Sequence, residues 1–130
     1  MKVGLAHGVF DLLHAGHLNY LKQARKLCTT LVVSVLADKY NPKESVYPEA
    51  ERLALIRALK YVDLAVLCEA PGPEAIIESL RPDIYIRNDE YYAQDRPEYP
   101  LVWRLGIETA FTTTVPPHTS EIIRRIKARP

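Results

Sequence analysis

The sequence predicts an α/β domain built on a doubly wound parallel sheet of about five strands, with helices on both faces. Three observations carry this expectation. Short apolar runs rich in β-branched residues recur along the chain, amphipathic stretches of helical period alternate with them, and no repeat, Gly/Ser linker or block of like charge divides the 130 residues. A chain of that length can bury a sizeable core without disulfides or a structural metal, which sets the expectation of a single domain over residues 1–130.

The elements follow in order. Val3 to Ala6 is a short apolar run closed by Gly8, as in a buried parallel strand ending at a turn. From Gly16 the period becomes helical, with Leu18, Leu21, Ala24 and Cys28 on one face and Asn19, Lys22 and Lys26 elsewhere. Leu31 to Leu36 returns to the core as a strand. Pro48-Glu49-Ala50-Glu51 places proline and acids where a helix N-terminus favours them, and Leu53, Ile56 and Leu59 give that helix its buried face. A strand at Leu64 to Leu67, a helix from Pro73 to Leu80 and a strand at Asp83 to Ile86 continue the alternation. Asp95 to Arg104 is interrupted by Pro97 and Pro100 and carries no assignment, Ile107 to Thr112 reads as the last strand, and Glu121 to Lys127 as a closing helix with Ile122, Ile123 and Ile126 on one face. Strands and helices taking turns imply right-handed crossovers and a Rossmann-like sheet. Ligands of such sheets bind beyond the carboxyl ends of the strands, so the loops after Ala6, Leu36, Leu67, Ile86 and Thr112 are the ones that matter.

Composition narrows the function. Apolar residues at 48% and charged residues at 25% describe a water-soluble globular chain, and a formal charge of +1 argues against the basic field that nucleic-acid binding needs. Cys28 and Cys68 stand apart in apolar surroundings and read as buried thiols. No apolar stretch approaches the roughly 18 residues of a membrane span, which leaves a cytoplasmic protein as the expectation.

The chemistry concentrates in Gly8-Val9-Phe10-Asp11-Leu12-Leu13-His14-Ala15-Gly16-His17, the loop between the first strand and the first helix. A helix N-terminus offers unpaired N–H groups and a partial positive charge, a ready anion site, and Gly16 lets a bulky anion approach the backbone. Imidazoles there can donate to phosphate oxygens, and such donors count most when charge builds up in a transition state. Two plainer readings stand beside this one: a loop histidine with a helix-capping one, and a zinc site. His14 and His17 are three apart, but the cysteines are poorly placed to complete a metal site.

Residues 4 to 38 resemble the cytidylyltransferase family, whose signature is a His-x-Gly-His tetrad after the first strand, here His14-Ala15-Gly16-His17. The likeness extends to Glu51-Arg52, Tyr61-Val62-Asp63 and Arg81-Pro82-Asp83. Its nearest branches are the glycerol-3-phosphate cytidylyltransferases and the nucleotidyltransferase domain of the ADP-heptose synthases. The resemblance implies that CMP passes from CTP to a small phosphomonoester or phosphonate acceptor with release of pyrophosphate. It makes His14 and His17 the contacts to the triphosphate, with Gly8, Val9, Phe10, Asp11 and Gly16 around the nucleotide. Asp11 and Asp63 would help hold Mg2+, and Lys43, in the loop after the second strand, would neutralise the reacting phosphates. Arg52 would reach the acceptor or the triphosphate. In Arg87-Asn88-Asp89-Glu90-Tyr91, Asp89 or Glu90 would accept from the exocyclic amine of the base while Tyr91 stacks or closes the pocket. Thr119 and Ser120 would cap the last helix and donate to phosphate. A homodimer is expected on the same ground.

The chain also departs from the family pattern. The arginine that precedes the Ser/Thr pair in the glycerol-3-phosphate enzymes is missing from Thr113-Thr114-Val115-Pro116-Pro117, and Asn88 replaces the glycine beside Asp89. Arg87 or His118 is the expected substitute for recognising the acceptor, Arg87 because it ends a strand. An adenylyltransferase of the ADP-heptose or flavin-nucleotide kind is the alternative enzyme, and a non-catalytic nucleotide-binding regulatory domain the alternative of another class.

Overall fold

The computed structural model describes residues 1–114 and 124–129. Five strands form one parallel sheet: β1 (Val3–Gly8), β2 (Thr30–Leu36), β3 (Leu64–Cys68), β4 (Ile84–Asn88) and β5 (Glu108–Thr112), in the order β3-β2-β1-β4-β5. Four helices connect them: α1 (Ala15–Lys26), α2 (Glu49–Arg57), α3 (Glu74–Leu80) and α4 (Tyr99–Arg104). The doubly wound α/β class is therefore observed, and each expected strand is present within two residues of its expected ends.

Side-chain alternation splits the core in two. Leu31, Val33, Val35, Ala6, Ile84 and Ile86 face Leu21, Ala24 and Ile56 of α1 and α2. Leu5, Val32 and Tyr85 face Ile77 of α3 and Leu101 and Val102 of α4. α4 is the element the prolines concealed. Pro100 falls in its first turn, where a missing N–H costs no hydrogen bond.

The chain winds from β1 outward to β3, then crosses back to β4 on the other side of β1, so the connections diverge between β1 and β4. Those two strands pair from Gly4↔Ile84 to Ala6↔Ile86 and then part. The hydroxyl of Tyr20, on α1, bridges the gap: it donates to Ile86 O at 2.5 Å and accepts from His7 N–H at 3.2 Å. Burial pushes this phenol up to about 12, so it remains protonated and able to donate. The opening at the carboxyl ends of β1 and β4 is where a ligand of such a sheet belongs.

Candidate nucleotide-binding site

The loop from β1 to α1 crosses that opening under strain. Phe10 (φ 57°) and Leu12 (φ 49°) hold left-handed backbone conformations, which cost a non-glycine residue about 1–3 kcal/mol each. Packing offsets the cost: the Phe10 ring is buried, stacked on Tyr20 at 6.3 Å and edge-on to His17 at 5.5 Å. A Cβ on Gly8 would stand 3.0 Å from that ring, so the bare backbone there is part of the same packing.

The loop delivers both imidazoles to the start of α1. Their centroids are 3.9 Å apart, with the planes 30° from parallel. His14 is the N-cap: its Nδ1 accepts from Gly16 N–H at 3.0 Å, and its own N–H donates to Nδ1 of His17 at 3.2 Å. Each Nδ1 is thus an acceptor, so in the neutral rings each proton sits on Nε2. Burial, then the charge of His14, lowers the His17 pKa to about 4, Asp11 opposing them, so His17 is a neutral Nε2–H donor at neutral pH. The two ring donors and the N–H groups of the first turn that remain free are hydrogen-bond donors of the kind an anion accepts from.

The remaining expected residues divide. Asp11 accepts from Val46 N–H at 2.8 Å and Tyr47 N–H at 2.9 Å, and these bonds hold its carboxyl below the usual range. It is a clip between the histidine loop and the loop after β2, which carries the exposed Lys43. Asp63 corrects the metal expectation. It stands before β3, accepts from Leu31 N–H at 2.7 Å and lies 3.3 Å from Arg25 Nη1. That is the amino end of the sheet, a strand's length of roughly 17 Å from the two imidazoles, so Asp11 and Asp63 cannot share one ion. Among the described residues no group of three or more His, Cys, Asp or Glu is placed to hold a metal. These residues do not fit a magnesium site of their own.

Arg52 corrects the acceptor expectation in the same way. It is fully buried, donating to Tyr47 O, Val9 O and Leu36 O at 2.8–3.1 Å and to Asp38 Oδ1 at 2.6 Å. It fixes the ends of β1 and β2 rather than reaching for a ligand. Asp89 is likewise engaged: both its oxygens accept from Thr114, whose N–H and hydroxyl pin the end of β5. Tyr91 has one ring face under the Arg87 guanidinium, 4.0 Å from its centroid. Glu90 is exposed on the turn Asp89–Tyr91. Thr119, Ser120 and His118 lie outside the described residues. Cys68 is buried as expected, whereas Cys28 is half-buried.

The structure adds two residues the sequence did not single out. His7 and Ser34 join Arg87 in a polar row across β1, β2 and β4 on the face away from α1, with His7 Nδ1 3.1 Å from Ser34 Oγ and Arg87 Nη1 donating to His7 O at 3.1 Å. Burial, then Arg87 and Arg96, lowers the His7 pKa to about 3. His7 sits inside an apolar strand, where sequence offers no sign that a neighbouring strand supplies its partners.

A doubly wound sheet opening onto a helix-capped pair of Nε2–H donors is the arrangement of a nucleotide-binding α/β domain of the nucleotidyltransferase kind. The chain belongs to the cytidylyltransferase-like family, whose profile matches residues 5–125. It is 37% identical over 98% of its length to the bifunctional protein HldE of Magnetococcus marinus, and 35% identical over 82% to that of Yersinia pestis. It spans only 28% and 24% of those two proteins. Among solved structures, a lipopolysaccharide core biosynthesis protein of Thermoplasma volcanium superposes with a TM-score of 0.77 at 33% identity, over 89% of this chain and 99% of the other. Pantothenate synthetase of Thermus thermophilus shares the fold, with a TM-score of 0.60 at 22% identity over 90% of this chain and 57% of the other. Among the described residues no helix is long and apolar enough to cross a membrane.

Proposed function

We propose that this domain transfers a nucleoside monophosphate from a nucleoside triphosphate to a small phosphate-bearing acceptor, and that the nucleotide is ATP. An acceptor oxygen forms a bond to the α-phosphorus as the bond to the departing pyrophosphate breaks, with no covalent enzyme intermediate. The observation that carries the reading is the stacked pair His14 and His17, with each Nδ1 engaged by a backbone N–H and each Nε2–H left to donate. Fixed donors that meet charge only as it develops need no reorganisation at the moment of reaction. Such transfer depends on alignment and charge stabilisation, so no general base is assigned. Mg2+ would come with the triphosphate and supply further charge neutralisation, and Lys43, on the loop clipped by Asp11, would reach the phosphates.

Adenylyl transfer is preferred over the CTP reading because the chain is 37% and 35% identical, over the aligned stretch, to two HldE proteins, which correspond to the ADP-heptose synthase branch. CTP remains the second reading on the family description alone. Pyrophosphate release from each of the four nucleoside triphosphates, against a panel of sugar phosphates, other phosphomonoesters and phosphonates with the product identified by mass, tests both. ATP-dependent release with an AMP-linked product is expected. Release with CTP alone selects the second reading, and no product with any pair rejects both.

A further inference from the structure

We propose that Arg87 anchors the phosphate dianion of the acceptor and that the ring of Tyr91 is the cover it displaces; the assignment deepens the transferase reading and rests on it. Arg87 is 3% exposed, yet among the described residues it forms no ion pair. Its Nη1 donates to the neutral carbonyl of His7, its plane is 4.0 Å from the Tyr91 centroid, and its buried Nε has no partner. The nearby carboxylate does not serve it. Glu98 accepts from Tyr85 hydroxyl at 2.7 Å and lies 3.5 Å from Arg96 Nε, so a second cation claims the acid.

Burial works against the Arg87 charge, but a guanidinium keeps its proton far above neutral pH, so the group stays cationic. The imidazole beside it stays neutral. A buried charge without a counter-charge is unfavourable and becomes favourable when a ligand supplies one. A guanidinium with an unpaired Nε–H offers the fork that two oxygens of a phosphomonoester accept side by side.

Position makes the acceptor the fitting source of that anion. Arg87 is the penultimate residue of β4 and belongs to the sheet face opposite α1, while the imidazoles belong to α1. The opening between β1 and β4 therefore has hydrogen-bond donors for an anion on either side, imidazole N–H groups on one and a guanidinium on the other. In-line displacement needs the entering and leaving groups on opposite sides of the phosphorus, and the α1 side suits the departing phosphates.

The test uses the whole chain with 15N-labelled arginine, the Arg87 Nε–H signal being identified by its loss in Arg87→Lys. Calorimetry with the β,γ-methylene analogues of ATP and CTP first reads nucleotide binding, with His17→Asn as the control for the imidazole pair. Inorganic phosphate is then titrated into free protein and into protein saturated with the bound analogue. The expected result is a saturable shift of the Arg87 signal with the analogue present, and by equilibrium dialysis a half-saturation for phosphate at least tenfold higher in Arg87→Lys. A shift that occurs only in free protein would assign the anion to the nucleotide and overturn the proposal, as would no shift at all. Should neither analogue bind, the transferase reading falls, and a shift at Arg87 then marks an anion site that is not an acceptor site. If Arg87→Lys does not fold, Arg87→Gln takes its place, the Arg87 Nε–H signal again being identified by its loss.

Discussion

The main-chain N–H of His14 donates to the ring of His17 at 3.2 Å, while the ring of His14 caps the helix through Gly16 N–H at 3.0 Å. Each histidine therefore fixes the tautomer or the position of the other, and the pair works as a unit. Two variants separate its structural and chemical parts. His14→Ala loses both, costing about 1 kcal/mol of stability as a lost N-cap. His14→Asn restores a capping oxygen and should recover the stability. Pyrophosphate release should fall about 10²–10³-fold in both, the scale set by loss of a preorganised donor. Turnover near wild type in His14→Asn would show that the ring does nothing beyond capping.

Gly16 is bound to the same geometry. A Cβ there would lie 2.7 Å from Cε1 of His14 and 3.0 Å from its Nδ1, inside the ring that caps the helix. Alanine favours a helix over glycine by about 1 kcal/mol, which offsets the similar cost of the lost cap, so Gly16→Ala should hold the melting temperature while displacing the ring. A fall in turnover of tenfold or more at undiminished stability is expected. Unchanged turnover would mean that the His14 ring can move without consequence.

How far these residues were legible follows from where their partners lie. The sheet was readable because each strand's apolar run and each helix's period are local properties, and the tetrad was readable because its strand, loop and helix are contiguous. Asp63 and Arg52 stand elsewhere than expected, each for its own reason. Asp63 precedes a strand, and in a parallel sheet that one fact places it at the end away from the ligand. Arg52 sits in an amphipathic helix between Glu51 and Leu53, where nothing local shows that it turns inward to carbonyls 43 and 16 residues away in sequence. The Thr114 that occupies Asp89 comes from 25 residues further on.

Asp63 tests the metal assignment directly. Asp63→Ala removes a contact to Arg25 and the acceptor for Leu31 N–H, a loss of about 1 kcal/mol. Titration of Mg2+ into the transfer assay should give the wild-type half-saturation. A shift of severalfold would place Asp63 near the ion, against the geometry of the sheet.

Arg52 distinguishes a brace from a ligand contact. Its side chain is fully buried and its single counter-ion among the described residues is Asp38 at 2.6 Å, so Arg52→Ala leaves the carbonyls of Val9, Leu36 and Tyr47 and the Asp38 carboxylate without their donor. Asp38 is itself partly exposed, so the loss comes chiefly from the carbonyls left without a donor, about 1 kcal/mol or more each, and a corresponding fall in the denaturant midpoint is expected. An acceptor contact would instead raise the KM for acceptor at unchanged stability, and that pattern would return Arg52 to the ligand site.

His7 makes stability depend on pH with a definite sign. Its native pKa, about 3, lies below the unfolded value of 6.5, because burial and then Arg87 and Arg96 oppose its charge. As pH falls from 6.5 toward 3 the unfolded chain takes up a proton that native His7 refuses, so unfolding becomes easier by about 1.4 kcal/mol per pH unit. His17 acts in the same direction between 6.5 and about 4. The carboxyls of Asp11, Asp38 and Asp89, all lowered, contribute a further loss only once pH drops below their unfolded value of 3.8. Between pH 5.5 and 4.5 the slope therefore belongs chiefly to the two histidines. Urea unfolding of His7→Gln over that interval should show a slope smaller by about one proton, whatever the absolute stability of the variant. A slope equal to wild type would mean that native His7 takes up its proton as readily as the unfolded chain does, and that the arginines beside it exert no field on the ring.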